Sequence, residues 1–235
     1  MLSPTQHLRK RSAPGLQYGL SLVELMVGIT VGLFLIGGAL SLFVSNIQNS
    51  RRLLVEARMN QDLRAAADLI ARDLRRAGYW GNAVQGTIAT GTGTATTANP
   101  YAAVAASAAS STITYNYSQD AAENDTLDDN EQFGFRLQNN VIQMRTAANT
   151  SWQAITDPNV LEVTALKIDD SGSTSIGMGS ICSTTVLPGA ANYPSITLRQ
   201  YTVTITARAP GDSTITRQLR TGVKVRNDAY AGACP

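Results

Sequence analysis

Glu24 is a carboxylate at the head of a stretch, Leu25 to Ile47, that carries no charged side chain. An ionisable group at the edge of such a run costs free energy unless a partner neutralises it, so its presence points to a function. Cys182 and Cys234 have neither zinc-ligand spacing nor a CxxC redox pattern. In an oxidising compartment they read as a disulfide closing the C-terminal third, worth about 4 kcal/mol by chain entropy; two unpaired buried thiols are the alternative. Asp120, Glu123, Asp125, Asp128, Asp129 and Glu131 offer oxygen ligands at a density that would suit Ca²⁺, but the EF-hand spacing and its central glycine are missing. A solvated acidic loop is the expectation, and no metal site is assigned. His7 is the only histidine and lies close to the N-terminus, which argues against His-based triads and metal centres. No phosphate-binding glycine loop, no GxSxG elbow and no singled-out carboxylate pair appears. The residues predict a protein that is not an enzyme and takes no cofactor.

The element that positions Glu24 is the apolar run itself. LMVGITVGLFLIGGALSLFV is long enough, at about 1.5 Å per residue, to cross a hydrocarbon core of about 30 Å. Arg9, Lys10 and Arg11 precede it, so the first residues are expected to be cytoplasmic and the rest exported. Arg51 and Arg52 beyond the far end weaken that asymmetry without reversing it. A cleaved secretory signal, with Gly37-Gly38-Ala39 as small residues for cleavage, and a plain membrane anchor both fit the run, but neither explains Glu24.

The string Gly19-Leu20-Ser21-Leu22-Val23-Glu24-Leu25-Met26-Val27 resembles the prepilin N-terminal motif of type IV pilin-like proteins. The resemblance implies cleavage by prepilin peptidase between Gly19 and Leu20 and N-methylation of Leu20, although most such chains begin with Phe. It makes Glu24 the fifth mature residue. The Leu20 ammonium and the Glu24 carboxylate would then stand about one helical turn apart. In a stack of staggered helices, Glu24 of one subunit can neutralise a neighbour's ammonium and set the register. Gly28-x-x-x-Gly32 would allow close helix approach, and Gly37-Gly38 would loosen the helix locally.

Helical patterning continues past the apolar run. Val55, Met59, Leu63, Ala66, Ile70, Leu74 and Ala77 form one stripe. Arg52/Glu56, Arg58/Asp62, Arg64/Asp68, Asp68/Arg72 and Asp73/Arg76 sit at pairing distances along a helix. Gly78 is the expected stop, and a helix from Leu20 to Ala77 would be on the order of 87 Å long. Residues 51–77 hold seven arginines against four acids, whereas nine basic and twelve acidic residues follow from Gly78 onward. A mildly negative body gives no footing for nucleic-acid binding. The arginines read as a solvated helix surface, or as a basic face that meets acidic patches of neighbouring subunits.

The expected organisation is a leader over 1–19, a long helix over 20–78 with its transmembrane half at 20–47, and an exported β-rich body over 79–235. Within the body, 86–112 is a low-complexity insert read as a surface excursion. Strands are expected at 112–117, 132–137, 141–146, 151–155, 160–168, 197–208 and 213–225, with turns at Asn139-Asn140 and Pro210-Gly211-Asp212. Helix first and antiparallel strands after is an α+β plan, with the helix packed on the sheet. The segments EARMNQDLRAAADLIARDLRRAGYWGN, FGFRLQNNVIQMR, WQAIT and VKVRN resemble PilW-type minor pilins. That resemblance implies a minor pilin of a type IV pilus that primes fibre assembly. Its expected partners are prepilin peptidase, other minor and major pilins, and an inner-membrane assembly platform, with the body in the periplasm. A minor pseudopilin of type II secretion shares the architecture, and a membrane-anchored exported enzyme or binding module is the third reading.

Overall fold

The computed structural model describes residues 19, 21–86, 98–107, 111–182, 187–190 and 193–232. In chain order its elements are α1 (Leu22–Leu74), β1 (Val104–Ser107), β2 (Thr112–Asn116), β3 (Gln132–Gln138), β4 (Val141–Arg145), β5 (Gln153–Ala154), β6 (Glu162–Asp169), β7 (Thr174–Gly177), β8 (Ser195–Leu198), β9 (Gln200–Ala209), β10 (Asp212–Lys224) and β11 (Ala229–Ala231). The strands form three antiparallel sheets, ordered β1-β2-β3-β4-β5, β10-β9-β6 and β11-β8-β7. This is a pilin-like α+β architecture: one long N-terminal helix whose C-terminal part packs on an antiparallel body.

The chain divides at Arg51/Arg52 into two units. The first contains the apolar part of α1, where no described side chain from Leu22 onward is buried. The helix runs through Gly37-Gly38 without interruption.

The second unit holds the core. Met59, Leu63, Ala66, Ile70, Leu74 and Ala77 are all buried, as their three- and four-residue spacing predicts. Val55, the first member of the expected stripe, is exposed. These helix residues meet Ile113, Tyr115, Phe133 and Phe135 of the first sheet and Leu166, Val203, Ile205 and Val223 of the second in one cluster. Each large side chain so buried contributes about 1.5–3 kcal/mol. Within it the rings of Tyr117 and Phe133 stack at 3.9 Å with an interplanar angle of 4°.

Asn139 and Asn140, at φ 53° and 61°, make the two-residue turn between β3 and β4, the left-handed pair that matches strand twist. Two expectations need correction. The single strand over 197–208 is two strands: the chain leaves the third sheet at Leu198 and enters the second at Gln200, with Arg199 turned inward between them. And the segment 86–112 is more than a surface excursion, because it carries β1, paired to β2, and the fully buried Tyr101.

Candidate assembly site and the joint that supports it

Gly19 is exposed, and Leu20 lies outside the described residues. Ser21 O accepts the first helical hydrogen bond, from Leu25 N, at 3.0 Å. Glu24 falls in the first turn of α1, where a negative charge complements the helix dipole. From there Leu22, Phe34, Leu42 and their apolar neighbours point outward, Phe34 with 84% of its surface exposed. Thr30, a polar residue in this stretch, donates its hydroxyl back to Met26 O at 3.0 Å and Val27 O at 2.9 Å, which removes an unmet donor of the kind a membrane penalises. A β-carbon at Gly28 or Gly32 would meet nothing within 4 Å among the described residues, so no described neighbour requires these glycines. The helix is long and apolar enough to cross a membrane.

The C-terminal end of the helix is fastened by groups that its sequence pattern does not reveal. Asp73 is buried and accepts hydrogen bonds from Tyr115 Oη and, at 3.3 Å, Tyr117 Oη. Arg76 stands 3.7 Å from the same carboxylate, its Cζ 4.1 Å from the centroid of the Tyr117 ring. Burial, assisted by the Asp73 carboxylate, pushes the Tyr117 hydroxyl up to about 12 and the Tyr115 hydroxyl well above its ordinary value. The last helical carbonyls are capped from far along the chain: Asn227 Nδ2 donates to Ala77 O at 3.1 Å, and Arg226 N to Arg75 O at 3.1 Å. Gly78 takes the left-handed conformation at φ 73° and donates to Asn116 O at 2.8 Å. Arg199, also buried, donates to Ala102 O and Asn227 O, both at 2.6 Å. Burial lowers its pKa, with Tyr201 and Asp228 opposing the shift.

The acidic segment 120–131 is largely solvent-accessible, as expected, with Glu131 alone among its acids buried, but several of its carboxylates are tied into the body. Glu123 accepts hydrogen bonds from Gly81 N at 3.0 Å, Tyr101 Oη at 2.7 Å and Asp125 N at 3.1 Å. Asp125 accepts from Trp80 Nε1 at 2.7 Å and Asn82 Nδ2 at 3.0 Å. Glu131, fully buried, accepts from Gln119 N and Asp128 N, both at 3.0 Å. Burial raises the Glu123 pKa, but bonds from Ser118, Tyr101 and the Asp125 and Gly81 amides outweigh it and hold the carboxyl below its usual value. Asp120, Asp128 and Glu131 bring oxygens within 4.8 Å of one another. The two Glu131 oxygens are already committed to backbone amides, which argues for a structural role over a cation site.

A family model described as prepilin peptidase-dependent protein B matches residues 52–225, well over half of the chain. The chain belongs to that family. No curated protein and no solved structure matches it. The prepilin peptidase-dependent family is one of pilin-like, processed structural proteins, and the apolar helix ahead of the matched region fits a single-pass membrane anchor. The match covers Asp73, Gly78, Arg199 and the β10 segment and stops just short of the capping residues Arg226 and Asn227.

Sequence reasoning reached Gly19, Leu20, Glu24, Cys182 and Cys234. The structure describes Gly19 and Glu24 at the helix head and places Cys182 in a buried position after β7. Cys234, its expected partner, lies outside the described residues. Sequence reasoning missed Arg199 and the role of Asp73. The available signal in each case was a charged residue in phase with the buried positions, Arg199 with Tyr201 and Val203 along a strand and Asp73 with Ile70 and Ala77 along the helix.

Proposed function

We propose that this protein is a minor pilin of a type IV pilus, PilW-like in kind, that takes part in priming the fibre. Prepilin peptidase cuts between Gly19 and Leu20, and Leu20 becomes the N-methylated mature terminus. The helix then sits in the inner membrane with the body in the periplasm, over the organisation 1–19, 20–78 and 79–235. An inner-membrane platform delivers the chain to other minor and major pilins. Glu24 pairs with a neighbour's terminal ammonium, and Cys182 is bridged to Cys234. The work is structural, with no reaction catalysed and no nucleic acid bound.

One observation carries this reading. A helical stretch whose large apolar side chains from Leu22 to Ile47 are all exposed, headed by a lone carboxylate, precedes a body of the prepilin peptidase-dependent family. Exposed apolar surface on this scale needs lipid or partner helices to cover it. In a helical stack, pairing Glu24 with an ammonium removes two poorly solvated charges at once.

The test is intact mass and N-terminal sequencing of the membrane-extracted protein from cells with and without prepilin peptidase, together with pilus counts in a deletion strain. A mature chain starting at Leu20 only when the peptidase is present, with pili lost on deletion, is the expected result. An intact leader, or a start near Leu40, would overturn the reading. Normal piliation with failed export of secreted enzymes would replace it with a type II secretion pseudopilin.

A further inference from the structure

Two arginines on the five-stranded sheet have no acidic partner among the described residues, and an indole lies against both. Strand alternation sends Tyr115, Phe133 and Phe135 into the core and leaves Thr114, Gly134, Arg136, Gln143 and Arg145 on the opposite surface. Trp152, just before β5, lies across that surface. Its Cη2 would come within 3.1 Å of a β-carbon at Gly134, so the absence of a side chain there makes room for the ring. The ring centroid lies 4.4 Å from Arg136 Cζ and 5.3 Å from Arg145 Cζ. Arg136 Nε donates to Gln143 Oε1 at 2.8 Å, while Arg145 Nε is buried without any partner.

Elsewhere in the body, arginines of this kind find carboxylates: Arg208 meets Glu162 at 2.7 Å and Arg217 meets Glu56 at 2.5 Å. Among the described residues neither Arg136 nor Arg145 has a carboxylate within 4.0 Å. The outward positions of β2, β3 and β4 carry Thr, Asn, Gln, Gly and Arg but no acid near the pair. Stacking on an indole limits the guanidinium rotamers before any ligand arrives, and a planar guanidinium matches the two oxygens of a carboxylate.

We propose that this surface docks an acidic polypeptide segment of a partner protein, with Arg136 and Arg145 as the carboxylate-binding forks and Trp152 as the platform that orients them. The chemistry favours a polypeptide over a small anion. The face extends over neighbouring strands about 4.8 Å apart, flanked by the amides and hydroxyls of Gln132, Gln143, Asn116 and Thr114. Trp and Arg are also the side chains that dominate the energetics of protein interfaces. The inference stands on the body alone and needs neither processing nor membrane insertion.

The experiment uses the full chain in detergent and a fluorescent glutamate-rich decapeptide, with a glutamine-for-glutamate version as control. Fluorescence anisotropy is expected to show binding of the acidic peptide at least about tenfold tighter than the control, the scale of one charge-assisted contact. The double variant R136Q/R145Q loses at least about tenfold, Trp152→Ala does the same, and Trp152→Phe retains most of the affinity. R58Q/R64Q, on the helix, leaves it unchanged. Hydrogen exchange on the unsubstituted protein gives a reading independent of variant folding: the acidic peptide slows exchange over 132–154. Undiminished binding by R136Q/R145Q, slowing confined to the helix over 52–76, or binding of heparin or inorganic phosphate with none of the peptide would each overturn the proposal.

Discussion

The guanidinium of Arg199 occupies the space that a β-carbon on Gly78 would need. The residue that ends the helix and the residue that switches the chain between two sheets are therefore fitted to each other. Gly78 is constrained twice, by its left-handed backbone and by this neighbour.

Gly78→Ala is expected to destabilise the body by about 1–3 kcal/mol, from strain at positive φ plus displacement of Arg199. Chemical denaturation of the full chain in detergent, followed by far-ultraviolet circular dichroism, measures it. A change within about 0.5 kcal/mol would show that the helix end relaxes freely, contrary to the fitted joint.

Asp73→Ala leaves the Tyr115 hydroxyl buried without its acceptor, at a cost of about 1–3 kcal/mol, and Asp73→Asn, which keeps an acceptor, costs less. Spectrophotometric titration gives a second readout. In the unsubstituted protein burial and the Asp73 carboxylate both oppose phenolate formation, which pushes Tyr117 up to about 12 and Tyr115 well above its ordinary value. In Asp73→Asn the carboxylate contribution vanishes and those ionisations move down. An unchanged titration curve would detach Asp73 from the pair.

How much of this joint could be read in advance differs from residue to residue. The stripe from Met59 to Ala77 was legible because burial against a sheet imposes a helical period on apolar side chains. The β3–β4 hairpin was legible because Asn139-Asn140 is a turn signal with its own local mechanism. Arg199 was hidden: a β-patterned run does not say which sheet each half joins, and the break falls at a residue whose type favours the surface. The acidic segment was legible in its exposure but not in its partners, because the amide, indole and phenol donors it binds lie 22 to 45 residues away in sequence. The head of the helix announced itself through one misplaced carboxylate, Glu24. Tyr101 and β1 escaped notice inside a segment dominated by small residues.

Glu123 predicts an acid-sensitive contribution to stability. Its folded-state pKa lies below its ordinary value of 4.5. The ionised clasp on Gly81, Tyr101 and Asp125 therefore stabilises the fold in full above that ordinary value. The contribution is lost as pH falls through the lower folded-state pKa. The melting-temperature gap between the unsubstituted protein and Glu123→Gln should be constant from neutral pH to about pH 5 and close below it. A gap that widens on acidification would contradict the assignment.

Glu56 joins the helix to β10 through Arg217 at 2.5 Å and also receives Arg52 at 3.2 Å. Both arginines are substantially exposed, so Glu56→Gln is expected to cost only about 0.5–1 kcal/mol, and less as salt screens the pair. Denaturation at low and high ionic strength checks the size and the sign of the salt effect. A larger loss that ignores salt would show that packing, not charge, fastens this point.

Cys182 bears on the proposed bridge. Thiol labelling of the denatured, unreduced protein should modify neither cysteine, and Cys182→Ser should lower stability by about 4 kcal/mol, the chain-entropy estimate for a loop of this length. Full labelling without reductant would remove the bridge from the proposal.

Asn227 reaches back to cap a carbonyl 150 residues earlier in the chain, and Arg226 closes the neighbouring one. During synthesis the helix emerges first, yet the groups that finish its last turn arrive only after every strand up to β10. Until then those carbonyls depend on water, and the stripe from Met59 to Ala77 lacks its second sheet. Completion of the joint thus requires that the body has been made to residue 227. A chain interrupted earlier keeps an open helix end and bare apolar surface, the features by which proteases and chaperones recognise unfinished proteins.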